Sequence, residues 1–166
     1  MMKQAILCCL LILASGNLLP TANAQDKPAW LREVELVLQK EPRWKIKEIK
    51  FVPIVMPTVF NEAIVLNSGP LRTDISISAT PSEEWARDGF EQERIAYSDI
   101  LGKTARAARV PGLGADNYML VGKKRTSLFF RQGNVMVKIF APSVETAKRF
   151  ARYVADRIPP SNDSSK

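Results

Sequence analysis

The stretch from Asn117 to Ile158, NYMLVGKKRTSLFFRQGNVMVKIFAPSVETAKRFARYVADRI, decides how the chain folds. Its first half predicts three antiparallel strands, Asn117 to Val121, Thr126 to Gln132 and Val135 to Phe140. Gly122 to Arg125 forms the first turn and Gly133-Asn134 the second. Glycine at the first position of a two-residue connection supplies the positive φ that a type II′ hairpin turn needs. Pro142-Ser143 then starts a helix to about Ile158. Val144, Ala147, Phe150, Ala151, Val154 and Ile158 recur at helical spacing as its apolar stripe. Arg149, Arg152 and Arg157 lie late in it, where the helix dipole favours cations.

The tight turn fixes which residues share a face. With Gly133-Asn134 as the connection, Gln132 lies opposite Val135, Phe130 opposite Val137 and Leu128 opposite Ile139, which predicts a core face beneath the last helix. Arg131 opposite Met136 and Phe129 opposite Lys138, with Ser127 and Phe140 alongside, make the other face basic and aromatic. Left open, such a face suits a binding surface. Covered by a further element, it would let Arg131 and Lys138 reach water along their stems. The covered arrangement is the one expected.

Upstream the same devices recur. Glu62 to Leu66, a turn at Asn67-Ser68-Gly69-Pro70, and Leu71 to Ala79 predict another hairpin. In its second strand Leu71, Thr73, Ile75, Ile77 and Ala79 alternate with Arg72, Asp74, Ser76 and Ser78, so one side is buried and the other wet. Thr80-Pro81-Ser82-Glu83 predicts a helix start, with Thr80 as N-cap, Trp85 as anchor to the core and Gly89 limiting the length. Glu91 to Arg109 is expected to hold a short strand near Ile95 to Ile100 and a mobile basic stretch. Trp44 to Val52 reads as a strand whose phase slips at Lys47-Glu48, as a β-bulge would make it slip. Pro53 and Pro57 bracket an edge strand or crossing segment at Ile54 to Met56. Asp26 and Pro28 open a helix to about Lys40, with Trp30, Leu31, Val34, Val37 and Leu38 on one face, which Glu41-Pro42 ends. The fold class is therefore α+β: an antiparallel sheet of hairpins carrying N-terminal, middle and C-terminal helices. Two hairpin-plus-helix halves are suggested by the echo of Ala79-Thr80-Pro81-Ser82-Glu83 in Ala141-Pro142-Ser143-Val144-Glu145.

Residues 1–24 read as a cleavable secretory signal: Lys3, an apolar run from Ala5 to Ala14, Pro20, then small Ala22 and Ala24 at the positions signal peptidase reads. Cleavage is expected before Gln25. The apolar run is about half the roughly twenty residues a bilayer span needs. No later stretch is long and apolar enough either, so a periplasmic or secreted protein without a transmembrane segment is expected. One α+β domain would occupy residues 25–160, with a disordered tail at 161–166. Cys8 and Cys9 leave with the signal, and the chain has no histidine. The mature form then lacks a Ser-His-Asp triad, a thiol nucleophile and any His or Cys metal ligand. Carboxylate chemistry, Ser-Lys chemistry, an oxygen-only metal site or no catalysis remain. No metal and no cofactor are expected.

The formal charge is +7, distributed unevenly. Gln25 to Ile100 carries 10 basic and 13 acidic residues, and Leu101 to Ile158 carries 12 basic and 3 acidic. A basic second half can draw an anionic partner, either an envelope component or an acidic protein. Lys103, Arg106, Arg109, Lys123, Lys124, Arg125, Arg131 and Lys138 are the candidate contacts. Nucleic acid is not expected, since charge stands without a recognition helix or stacking motif. Gly112-Leu113-Gly114 falls short of a phosphate loop, because Asn117 holds the place of the third glycine and a strand follows; a turn after Pro111 is the better reading. Glu83, Glu84, Asp88, Glu91 and Glu93 match no calcium loop.

Val110-Pro111-Gly112-Leu113-Gly114-Ala115-Asp116-Asn117-Tyr118, the run Phe130-Arg131-Gln132-Gly133-Asn134-Val135-Met136-Val137, and the closing amphipathic helix resemble a pattern in uncharacterised exported bacterial proteins and lipoproteins. The resemblance implies an envelope-facing α+β domain and assigns no activity. Ala115-Asp116 departs from the Asp-Glu or Asp-Ala of that pattern, and a lipidation cysteine is missing. The expected function is a non-catalytic envelope protein that binds an anionic partner through its basic half. The alternatives are a hydrolase using carboxylate or Ser/Lys chemistry and a structural homo-oligomeric subunit.

Overall fold

Two hairpins and the seam between them organise the sheet. The structure is a computed structural model and describes residues 27–52, 58–101, 106–114 and 116–160, with backbone only at 98–101, 106 and 107. β6 (Thr126–Gln132) and β7 (Val135–Ala141) pair in the register that the turn dictates, Gln132 opposite Val135 and Leu128 opposite Ile139. Gly133 has φ +57° while Asn134 keeps a negative φ, as a II′ turn requires. β2 (Phe60–Ser68) and β3 (Leu71–Ala79) close the same way around Gly69, φ +58°, and Pro70. β3 and β7 pair antiparallel, Ile75 opposite Ile139. β1 (Lys45–Phe51), β5 (Asp116–Val121) and β4 (Arg106–Ala108) extend the two flanks, giving seven strands in the order β1-β2-β3-β7-β6-β5-β4. The register slips between Ile46 and Glu48, where the phase change predicts a bulge.

One face carries the main core. α1 (Ala29–Gln39) turns Leu31, Val34 and Leu38 inward, and α3 (Val144–Ala155) turns Ala147, Phe150, Ala151 and Val154 onto Leu128, Phe130, Val137 and Ile139. Ser143 caps α3 by accepting the Thr146 amide. Trp44, just ahead of β1, meets Phe150 edge-on with ring centres 5.5 Å apart.

α2 (Glu83–Leu101) covers the other face, over β5, β6 and β7. Ala86, Phe90 and Tyr97 lie against Tyr118, Phe129, Met136 and Phe140. The basic–aromatic face is therefore covered, as expected. The two hairpins each lead into a helix, but these helices go to opposite faces. Beyond β7 the second face shows small polar groups, with the Ser78 hydroxyl donating to Asn61 Oδ1 at 3.0 Å.

Four local expectations for α2 do not hold. It runs through Gly89 and through Ile95, where a strand was expected. Phe90 and Tyr97 are seven residues apart and continue the inward stripe begun at Ala86, so burial outweighs the cost of about 1 kcal/mol for a helical glycine. Trp85 is half exposed and anchors nothing. Ser82, not Thr80, stands at the helix start, accepting the Trp85 amide at 3.3 Å. Thr80 instead joins the β6–β7 turn: its amide donates to the Asn134 carbonyl at 2.9 Å, and Asn134 Nδ2 donates to the Thr80 carbonyl at 2.6 Å. Asp26, Ile54 to Met56 and the tail lie outside the described residues.

One ionisable group breaks the apolar pattern of the main core. Glu62 sits on the inner face of β2 opposite Ile77, and Lys27 donates to its Oε2 at 2.7 Å and also to Glu35. Its other oxygen is buried without a partner. Burial pushes the Glu62 carboxyl up to about 7; Glu35 adds to the shift and Lys27 opposes it. A carboxyl raised in the folded state adds stability below its ordinary value of 4.5, and that stability is lost as pH rises through 7. No histidine titrates in this window. Urea unfolding should therefore show stability falling by about 2–3 kcal/mol from pH 5 to pH 8, with Glu62→Gln flattening the profile. A level profile in the parent chain would contradict this assignment.

Candidate functional site

The clearest concavity lies where α2 passes over the β4–β5 edge. Arg87, Glu91 and Arg94 fall at i, i+4 and i+7, one stripe round from the buried Ala86 and Phe90, and so line the margin of the helix. The start of β5 contributes Asp116, Asn117 and Tyr118; β4 contributes its last residue, Ala108, and Arg109 follows it. Together they enclose a cleft of about 420 Å³.

Its floor is aromatic. Phe90 and Tyr118 meet edge-on with ring centres 5.3 Å apart, and Tyr118 stacks on Phe129 at 4.5 Å and 11°. Tyr118 is 7% exposed, and its hydroxyl is buried with no hydrogen-bond partner. Burial first, then the nearby Glu93, pushes the phenol above its ordinary value, so it stays a neutral O–H.

The rim is cationic once its pairs are matched. Arg94 Nε donates to Glu91 at 2.7 Å, and this bond holds the Glu91 carboxyl below the usual range. Asp116 accepts from Arg131 at 3.0 and 2.8 Å. Both cleft carboxylates are thus occupied. Arg87 has only Asp88 near it, at 3.8 Å, and Arg109 makes no ion pair among the described residues.

Arg109 leads into a loop tied down by Asn117. The next residue, Val110, is buried and donates its amide to Asn117 Oδ1 at 2.7 Å, while Asn117 Nδ2 donates to the Leu113 carbonyl at 2.5 Å. Gly112 and Gly114 take φ +75° and +50°. The Gly-Leu-Gly segment is thus a structural turn that plugs Leu113 into the main core. Gly114 lies so close to β6 that an added Cβ would sit 2.1 Å from the Arg131 carbonyl oxygen.

Of the eight basic residues singled out from the sequence, Arg109 is the one that lines this cleft among the described residues. Lys123 and Lys124 are exposed in the turn at the far end of β5. Arg125 joins Asp74 at 2.7 Å; although partly buried, Asp74 is held below its ordinary range by Arg72 and Arg125. Arg106 lies on β4 opposite Val121, and Lys103 lies outside the described residues. Arg131 is 8% exposed and braces the fold, donating to Asp116 and, at 2.9 Å, to the Gly133 carbonyl. Lys138 pairs with Glu93 of α2. Those of the eight whose side chains are described therefore form no single patch. Arg87, Arg94 and Tyr118 do not follow from the sequence reading, because a helix ending at Gly89 splits the stripe and the excess of positive charge lies in the second half. The 87, 91, 94 spacing is the signal that marks them.

A second cleft, of about 410 Å³, opens between Trp30, Pro81, Asn134 and Pro159, but no basic residue lines it. Among the described residues no three acidic side chains come together as a metal site, and no helix is long and apolar enough to cross a membrane.

No protein-family model and no curated protein matches the chain. Among solved structures, the extracellular domain of PknH from Mycobacterium tuberculosis is similar at TM-score 0.51 and 11% identity, over 75% of this chain and 89% of that one. A GTP-binding regulator from Thermotoga maritima is similar at TM-score 0.44 and 8% identity, over 78% and 89%. The first likeness shows the α+β fold alone.

Proposed function

We propose that this chain is an exported, non-catalytic binding protein that holds an anionic partner, an envelope component or the acidic side chain of a protein, at the cleft between α2 and the β4–β5 edge. One observation carries the reading. Both carboxylates lining the cleft are matched by arginines, which leaves Arg109 without an ion pair among the described residues and Arg87 with only a long, solvent-exposed contact to Asp88 at 3.8 Å. Export rests on the signal-like residues 1–24. The absence of histidine and of mature cysteine, and the low-titrating Glu91, favour binding over catalysis: a general acid near neutral pH needs a carboxyl that is raised, not lowered.

The test is titration of the folded domain with citrate, followed by backbone NMR shifts at low salt. Shifts should centre on Ala108, Arg109 and Tyr118. Binding should weaken about tenfold in Arg87→Ala/Arg109→Ala and again in 0.5 M salt, because exposed charges are screened. A cleft that stays silent at low salt, or an unchanged double variant, overturns the reading.

A further inference from the structure

We propose that the ligand of this cleft is an aryl carboxylate or a similar small acid with a flat apolar body. This rests on the anion-binding reading above and adds the part of the ligand that the arginines do not see.

Volume is the first argument. A cleft of about 420 Å³ lies within the range of roughly 300–1,000 Å³ that encloses organic ligands of drug size. An inorganic anion would leave most of it filled with water. The lining is the second argument. Phe90, Tyr118 and Ala108 give an apolar floor beneath a rim of guanidinium groups. Guanidinium is planar, stacks on aromatic faces and binds carboxylates bidentately, so Arg87 and Arg109 can pair with the acid group while also flanking a ring. The third argument is the Tyr118 hydroxyl. It is a buried donor with no partner, and leaving such a group unmatched is costly. It lies in the field of Glu93, Tyr97, Arg94 and Glu91 of α2, of which Glu91 and Arg94 also line the cleft. A bare anion held at the rim would not reach it; a ligand that fills the cleft gives it an acceptor.

The experiment is calorimetric titration with 2-naphthoate, with acetate as the acid group alone, and with 2-naphthalenemethanol as the uncharged body alone. Naphthoate is expected to bind one to one, at least tenfold tighter than either control. Arg109→Ala should weaken it about tenfold. Tyr118→Phe keeps the stacked ring and should weaken it severalfold. Acetate binding as tightly as naphthoate overturns the aryl-acid class and leaves the anion site standing. The alcohol binding as tightly overturns both, since charge would then not matter, and so does the absence of all binding. An unaltered Tyr118→Phe removes the hydroxyl from the proposal and overturns its third argument.

Discussion

Gly114→Ala is expected to destabilise the protein by ~3 kcal/mol or more, a large effect for a single methyl group. Two costs combine. The residue sits at φ +50°, where a side chain adds roughly 1–2 kcal/mol of strain. The new Cβ would also meet the Arg131 carbonyl at 2.1 Å, and that atom is backbone, in the paired part of β6 opposite Asp116 of β5. It cannot rotate away; the sheet or the loop must move. Gly69→Ala is the control. It has the same sign of φ, +58°, but nothing lies within 4 Å, so it should lose only about 1–2 kcal/mol. Urea unfolding of both variants beside the parent chain measures the difference. Equal losses would mean that the loop does not touch β6. Because the loop also holds Arg109, Gly114→Ala should weaken citrate binding even where the protein remains folded.

Phe129→Ala should cost about 3–5 kcal/mol, the usual price of a fully buried phenylalanine. Phe129 is 1% exposed and stacks on Tyr118, with Tyr97 at 4.7 Å and Phe140 at 5.8 Å. It is the centre of the small cluster that seats α2. α1 and α3 dock on the other face and do not depend on it. Hydrogen exchange should therefore show α2 losing most of its protection while α3 keeps its own. Uniform loss along the chain would mean that the two faces behave as one cooperative core. Because α2 forms one wall of the cleft, ligand binding should fail along with it.

The sheet was legible because its signals are local. Gly133-Asn134 sets a two-residue turn, and the register of β6 and β7 follows from it residue by residue, which places Leu128, Phe130, Val137 and Ile139 on the core face. The bulge after Ile46 shows as a slip in alternation. The stripe of α3 is equally plain. α2 was misread where two signals competed: Gly89 and the β-branched Ile95 suggested an end, while the Ala86, Phe90, Tyr97 spacing carried the helix onward. The cleft was the least legible part. Charge counting points to Arg131 and Lys138, but Arg131 is matched by Asp116 on the neighbouring strand β5 and Lys138 by Glu93 of α2. Sequence position does not reveal such pairings, since Asp116 lies 15 residues from Arg131 and Glu93 belongs to a separate element, α2. In the sequence Asn117 stands out only for the place of a third glycine; its clamp on Val110 and Leu113 requires the folded loop.

The seam between β3 and β7 has a consequence for how the chain acquires this shape. Ile75 and Ile139 meet at the middle of the sheet yet stand roughly sixty residues apart along the chain. Each hairpin can zip from its own turn in microseconds, whereas joining them means closing a long loop before any contact rewards it. The rate-limiting barrier should therefore lie at the meeting of two preformed halves. Truncating Ile75 or Ile139 would then slow folding, while truncating Phe150, which docks afterwards, would mainly hasten unfolding.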